Sequence, residues 1–377
     1  MTDSVSSGVG SRPRAPPGGE TPRAPVSIFQ YFNLSILTRE GTLPEDVVHL
    51  DEADRRLLNL LQWEFPLEPE PFAVLGEKLG ASEADVRARI RRLKSGKIIR
   101  QISAIFDSYQ LGYRSCLVAA RVAPERIEEA AEIINRHPGV SHNYQRDHAF
   151  NLWFTLTVPP GRDLEQEAER LHAESGALSV RLLPTLKLFK IGVRLDMGGE
   201  EGVSRPSESA PAGAPAPAPP EPLEARDIAA VRALQQDIPL EPRTFAALAA
   251  DADMDEDELL ARARAFLGRG RMRRFAAVLH HRRAGFAANG MAVWDVPDAR
   301  IEAVGRQMAS FEAVSHCYQR PRHPDWPYSI FTMIHARSTE ECERIAADMA
   351  AQTGISGHTI LYSTREFKKV RVRYFEW

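Results

Sequence analysis

Leu57, Leu58 and Leu61 fall on one face of a stretch that opens at Asp51, and the spacing predicts a helix capped by that aspartate. Phe72, Leu75 and Leu79 form a second helical stripe that stops at Gly80. Ser82 then caps a third helix, Ser82 to Ser95, with Val86, Ile90 and Leu93 turned inward and Gly96 at its end. The next run, Ile98 to Phe106, is apolar and suits a hairpin, so three short helices and a hairpin predict a winged helix-turn-helix. Beyond it the pattern alternates between strand and helix periods. It predicts a strand (Tyr113–Val122), a helix (Pro124–Arg136), strands over Val140–Arg146 and Phe150–Val158, a helix (Leu164–Glu174) and a closing strand (Ser179–Leu195). That βαββαβ order is ferredoxin-like.

The chain says this twice. Phe65-Pro66-Leu67 returns as Ile238-Pro239-Leu240, and Val140-Ser141-His142-x-Tyr144-Gln145-Arg146 as Val314-Ser315-His316-x-Tyr318-Gln319-Arg320, about 174 positions later. The period is too long for a solenoid and fits a duplicated two-domain unit. The fold class expected is therefore α+β: two tandem copies of a winged helix-turn-helix followed by a ferredoxin-like domain. The boundaries read as a disordered tail over 1–48, winged helices over 49–108 and 223–283, and ferredoxin-like domains over 109–197 and 284–377. An Ala/Pro-rich linker over 198–222 joins the copies and contains PAGAPAPAPPEP, which favours a semi-rigid polyproline spacer.

Composition narrows the class. Of 377 residues, 43% are hydrophobic and 26% charged, so the chain as a whole is globular. A net charge of −3 excludes a globally basic nucleic-acid coat. Cys116, Cys317 and Cys342 are too scattered for a metal knuckle or a disulfide framework, which points to a reducing cytoplasm. No apolar run reaches the roughly 18 residues of a membrane span, and no signal pattern opens the chain. The phosphate loop, dinucleotide fingerprint, HExxH and GxSxG are all missing. Asp251-x-Asp253-x-Asp255 imitates a calcium loop but has Glu256 where glycine is needed, so it reads as a helix start.

Two features carry candidate chemistry. The third helix bears Arg87, Arg89, Arg91, Arg92 and Lys94, a possible DNA-reading face. Its counterpart opens with Asp255, Glu256, Asp257 and Glu258, which repel phosphate, so DNA binding is expected to be residual or lost. The other feature is a strand face. Period two places His142, Tyr144, Arg146 and His148 together, with Asn151 and Trp153 beyond; the second copy offers His316, Tyr318, Arg320, Arg322, His323, Trp326 and Tyr328. Such a face suits a planar, anionic, metal-bearing ligand. Lys187 and Lys190, and Arg365, Lys368, Lys369 and Arg371, end the two copies in basic strands able to grip carboxylates.

A winged helix followed by a ferredoxin-like domain resembles the Lrp/AsnC regulators. The strand motifs SHNYQRDHAFNLWFT and SHCYQRPRHPDWPYSIFTMIH, with the ending REFKKVRVRYF, resemble an enzymatic branch of that superfamily, the siroheme decarboxylases. The first motif is similar to one subunit type and the second to its partner, so the chain resembles the fused form of heme d1 biosynthesis. The resemblance implies removal of the carboxyl groups of two acetate side chains of siroheme, giving didecarboxysiroheme, with no added cofactor because the substrate brings its own iron. It implies a pseudo-dimer of the two copies, within one chain or across a homodimer. The expected mechanism has Arg146 and Arg320 holding carboxylates, His316 as the better-placed general acid, and His142 or His148 as an iron contact or second acid. The rival readings are an Lrp-type regulator and a non-catalytic haem-binding sensor.

Overall fold

The computed structural model describes residues 50–191, 194–195, 204–205, 220–279 and 288–377, so the tail over 1–48 and most of the linker over 198–222 lie outside it. The first copy runs α1 (Glu52–Trp63), α2 (Pro71–Leu79), α3 (Glu83–Ser95), β1 (Ile99–Phe106), β2 (Arg114–Arg121), α4 (Ile127–Arg136), β3 (Val140–Arg146), β4 (Leu152–Val158), α5 (Leu164–Ser175), β5 (Ser179–Leu183) and β6 (Lys187–Ile191). A two-residue pair, β7 (Arg194–Leu195) with β8 (Ser204–Arg205), follows. The second copy runs α6 (Ala225–Leu234), α7 (Thr244–Asp251), α8 (Glu256–Gly268), β9 (Met272–Leu279), β10 (Ala288–Trp294), α9 (Ile301–Ser310), β11 (Val314–Gln319), β12 (Ile330–Ala336), α10 (Thr339–Thr353) and β13 (His358–Lys369).

Local signals placed the helix ends. Asp51 caps α1 in a reciprocal box with Asp54, and Ser82 caps α3. Gly80 ends α2 with φ of 69°, a left-handed conformation that costs glycine nothing. Asp255 caps α8 through the Glu258 amide, the helix-start role read from the acidic run.

Among the described residues the expected hairpin forms inside neither copy. Ile99–Phe106 is a single strand, β1, paired antiparallel with β9 of the other copy, Ala104 opposite Phe275. Its run of buried residues explains why: the strand is sandwiched between two three-helix units and needs apolar residues on both faces. Phe65, Phe72, Phe245 and Phe275 meet here with ring centroids 5.1–6.4 Å apart, so the two winged helices share one core.

The remaining strands form one nine-stranded sheet in the order β5-β2-β4-β3-β13-β10-β12-β11-β6. Each copy lends its last strand to the other. β13 pairs with β10 of its own copy up to Tyr362, then with β3 of the first copy from Ser363 to Lys369. The corresponding segment of the first copy breaks at Pro184-Thr185-Leu186, since proline has no amide hydrogen for the ladder. Its β5 half pairs with β2 and its β6 half with β11 of the second copy. The closing strand read as one piece over Ser179–Leu195 is thus split into β5 and β6, which serve two domains, with the short β7 at its end.

Helices α4 and α5 cover the outer face of one half, and α9 and α10 that of the other. Phe189 of β6 lies where a Cβ on Gly305 of α9 would stand, so only glycine admits this crossing. The inner faces bury Leu117, Tyr144, Trp153, Met291, Tyr318, Trp326 and Phe331 against one another. Because β6 and β13 are shared, cleavage between residues 206 and 219 is expected to leave the halves as one particle on a sizing column at micromolar concentration. Elution as two species would contradict the strand exchange.

Candidate functional site

The two His-Tyr-Arg faces lie on β3 and β11, on the interior side. A bulge on each strand sets their aim. In β11 the register slips between Val314, opposite Ile334, and His316, opposite Met333. The same irregularity falls between Val140 and Asn143 in β3. A bulge rotates one residue out of the alternation, which lets Ser315 and His316, and likewise Ser141 and His142, bond to each other although they are neighbours in sequence. His142 Nδ1 lies 2.9 Å from Ser141 Oγ, which lies 2.6 Å from Thr155 Oγ1. His316 Nδ1 lies 2.6 Å from Ser315 Oγ, which lies 2.6 Å from His335 Nε2; His335 Nδ1 in turn lies 2.5 Å from Asn289 Oδ1.

His142 stacks on Tyr144, and His316 lies beside Tyr318 with ring centroids 6.0 Å apart. Arg146 and Arg320 close the row and are nearly inaccessible, 4% and 1% exposed. Each donates through Nη1 to a carbonyl of the other copy, Arg146 to Leu361 at 2.7 Å and Arg320 to Leu183. Burial lowers both guanidinium pKa values to about 10, which still leaves them charged at neutral pH. Among the described residues neither has a carboxylate partner, and Nε of each finds no hydrogen-bond acceptor. Uncompensated buried cations are costly and are met elsewhere by anions.

The two faces differ in what stands opposite. Glu366 and Lys369 of β13 face Tyr144 and His142 in register. Burial, then the Glu366 carboxylate, pushes the Tyr144 hydroxyl far above its ordinary range. On the other face Leu188 of β6 stands opposite Tyr318. There a small cavity of about 10 Å³ is lined by Met291, His316, Tyr318, Arg320, Phe331, Thr332 and Met333. Burial drops His316 to about 3, aided by His335 and Lys190, and burial alone drops His335 to about 4. Desolvation therefore favours the neutral His316 ring in the ligand-free protein.

Alternation along β3 holds for His142, Tyr144 and Arg146 and stops there. His148 lies past the strand end, stacked on Phe150 with its ring 5.4 Å from Trp326. Trp326 comes from the longer loop of the second copy and wedges against Trp153 at 5.2 Å and Tyr328 at 5.0 Å. Its Nε1 is buried without an acceptor. Trp153 instead donates to the Phe150 carbonyl. The pairing register makes Trp153 the counterpart of Phe331.

Most of the other candidates are spent on structure. Asn151 clamps both backbone groups of Val122, and Arg322 ties the Trp326 loop to Asp298 and the Val296 and Pro327 carbonyls. His323 Nε2 lies 3.0 Å from the Leu182 carbonyl. Lys187 pairs with Glu302, and Lys190 donates to Phe311 at the end of α9. In mirror fashion Lys368 donates to the Asn135 and His137 carbonyls at the end of α4. Arg365 pairs with Glu128 outside the sheet, and Arg371 reaches Ser103 of β1. Only Lys369 of the basic endings stands on the inner side. Ser141, Ser315, Asn289, His335 and Glu366 were missed; the only sequence signal was the serine preceding each histidine.

The basic helix α3 is also committed. Arg89 and Arg92 pair with Asp54, which is fully buried, and Lys94 with Asp237 of the other copy. Arg87 reaches Glu83 and the Leu240 carbonyl.

Fold and site together define a tandem protein of the AsnC-like class, with winged helices packed on each other and paired ligand-type domains enclosing His-Tyr-Arg faces. The sequence matches the AsnC-like ligand binding domain at residues 110–190 and 283–368, and the siroheme decarboxylase NirDL-like HTH domain at 54–100 and 227–273. It is 41% identical over 321 residues to a siroheme decarboxylase of Hydrogenobacter thermophilus, covering 85% of this chain and 94% of that protein. It is 36% identical over 326 residues to the siroheme decarboxylase NirDL subunit of Paracoccus denitrificans, covering 85% and 96%. A crystal structure of the siroheme decarboxylase NirDL in co-complex with an iron-uroporphyrin III analogue superposes with a TM-score of 0.69 at 35% identity, covering 86% of this chain and 95% of that one. The chain belongs to the siroheme decarboxylase family.

The neutral histidines set a pH dependence. A ring whose folded pKa lies below its unfolded value of about 6.5 takes up its proton more readily when unfolded, so stability falls as pH drops from about 6.5 toward 3–4. The slope is at most about 1.4 kcal/mol per unit for each ring. Denaturant titrations between pH 7 and 5 are expected to show this loss, and His316→Gln with His335→Gln to flatten it.

Proposed function

We propose that this chain decarboxylates siroheme, removing the carboxyl groups of two acetate side chains to give didecarboxysiroheme for heme d1 synthesis. The observation that carries this reading is the pair of buried guanidinium groups, Arg146 and Arg320, each charged, each without a carboxylate partner and each with an unused Nε donor. A flat macrocycle rimmed with carboxylates supplies what they lack, and the aromatic wall of Tyr144, Trp153, Tyr318 and Trp326 supplies its face. The cavity beside His316 has room for about one water molecule, so a macrocycle enters only if the surrounding side chains move apart.

The chemistry then follows from desolvation. An acetate drawn beside Met291, Phe331 and Met333 loses its hydration, and the neutral product, CO2, is favoured over the charge. The carbon left behind needs one proton. His316 is neutral while the cavity is dry, but an incoming carboxylate favours its protonated form, which makes it the acid. His142 stands beside Lys369 and Glu366 and supplies a second polar contact or an iron contact; His148 serves the same end from the Trp326 side. The substrate brings its own iron, and the chain's residues need no added cofactor for these steps. The reaction belongs in the cytoplasm, the pseudo-dimer of the two copies is the working unit, and DNA binding is at most residual because Arg87, Arg89, Arg92 and Lys94 of α3 are paired.

Anaerobic incubation with siroheme followed by mass spectrometry tests the reading. Loss of two carboxyl groups is expected. Siroheme bound but unchanged would mark a haem-binding sensor, and a sequence-specific footprint at physiological salt an Lrp-type regulator. Arg320→Gln removes a charge-assisted contact worth about 1.5–3 kcal/mol, so kcat/KM is expected to fall tenfold to a hundredfold or more.

A further inference from the structure

The two copies repeat the same serine-histidine step but continue it differently. In the first, Ser141 passes to Thr155 and meets no second ring. In the second, Ser315 passes to His335, which stands directly across from Asn289 in the β10–β12 ladder and contacts its Oδ1. With Asn289 Oδ1 turned to His335, the hydrogen bonds run one way. Asn289 Oδ1 only accepts, so His335 Nδ1 carries the hydrogen, and a neutral His335 then has its lone pair on Nε2. Ser315 therefore donates to His335 and accepts from His316 Nδ1. His316 is left with its lone pair on Nε2, the ring edge turned to the cavity it lines.

We propose that His335 is a positioning residue: through Ser315 it fixes the tautomer of His316 and takes over the positive charge when His316 Nε2 is protonated. This rests on the decarboxylase reading and assigns proton donation to the second copy. The sequence of shifts balances. A proton from water joins His316 Nε2; the Nδ1 proton moves to Ser315, and the Ser315 hydroxyl proton moves to His335 Nε2. When the acetate C–C bond breaks, its electron pair stays on the methylene carbon and CO2 leaves. That carbon takes the Nε2 proton, while Nδ1 recovers its hydrogen from Ser315 and Ser315 from His335. The net change is one carboxylate and one proton to one methyl group and CO2.

Moving the charge outward matters because the cavity is already cationic. Arg320, just past the end of β11, lines the same cavity as His316; Lys190, held at the α9 end, adds its charge from outside; and β10 and β12 contribute Met291 and Met333. A charge held on His335 is one hydroxyl further from Arg320 and meets the Asn289 carbonyl oxygen. Among the described residues the first copy brings Thr155, not a ring, to its serine.

Steady-state decarboxylation of siroheme by the full-length protein tests this with Ser315→Ala, His335→Gln, the double variant and Ser315→Thr. Each of the first two is expected to lower kcat about tenfold or more, part of the 10²–10⁴ range of general acid catalysis, with KM within about threefold. Their effects should not add, because either break severs one chain. Ser315→Thr keeps the hydroxyl and should recover most of kcat. A loss confined to KM, additive losses, or no rescue by threonine would overturn the relay. Failure of the unaltered protein to decarboxylate siroheme would instead overturn the reading on which it rests. Circular dichroism and siroheme binding by absorbance separate misfolded variants, and for those His335→Asn carries the same kinetic test.

Discussion

Two buried guanidinium groups tie the halves of this protein together, and much of the rest depends on how they do so. Arg146 reaches Leu361 and Arg320 reaches Leu183, each from one copy to the terminal strand of the other. A βαββαβ sheet covers one face with its own helices and leaves the other bare. Exchanging β6 and β13 turns the two bare faces toward each other, so a hydrophobic interior forms that neither copy could build alone. The arginines cross that interior to reach carbonyls of the opposite copy. Their charge is expensive in such a place, and the same expense prepares the interior for an anionic guest.

The exchange also explains why tandem copies can diverge in chemistry. Each His-Tyr-Arg row belongs to one copy, but what faces it belongs to the other. β13 brings Glu366 and Lys369 to the first row; β6 brings Leu188 to the second. One row is therefore polar and the other largely apolar, although the rows themselves are nearly identical in sequence. A dry row suits loss of charge, and a polar row suits holding it, so a pseudo-symmetric frame contains two unlike environments.

The winged helices show the same reuse. In a DNA reader the third helix needs its cations free for phosphate. Here Arg87, Arg89, Arg92 and Lys94 are drawn into pairs with Asp54, Glu83 and Asp237, and the strand expected to form a wing is buried against its twin. The element that would have touched a nucleic acid instead seals the two copies through a shared aromatic core around Phe65 and Phe275.

By itself the sequence determined what depends on near neighbours. Asp51, Gly80 and Ser82 punctuate the helices because caps are satisfied within three or four residues. The duplication and the alternation of His142, Tyr144 and Arg146 are equally local, since period two needs only a strand. Tertiary structure decided whatever depends on a partner surface. The strand Ile99–Phe106 is apolar enough for a hairpin or for a buried joint, and only the presence of β9 chooses between them. Lys190, Arg365, Lys368 and Arg371 looked alike as basic endings, yet register and a break at Pro184 send them to helix ends, an outer ion pair and a domain joint. The contact of His335 with Ser315 arises from a bulge, one extra residue in a ladder, which reverses the face a side chain occupies. No pattern of residue types encodes that shift; it comes from the fit between β11 and β12.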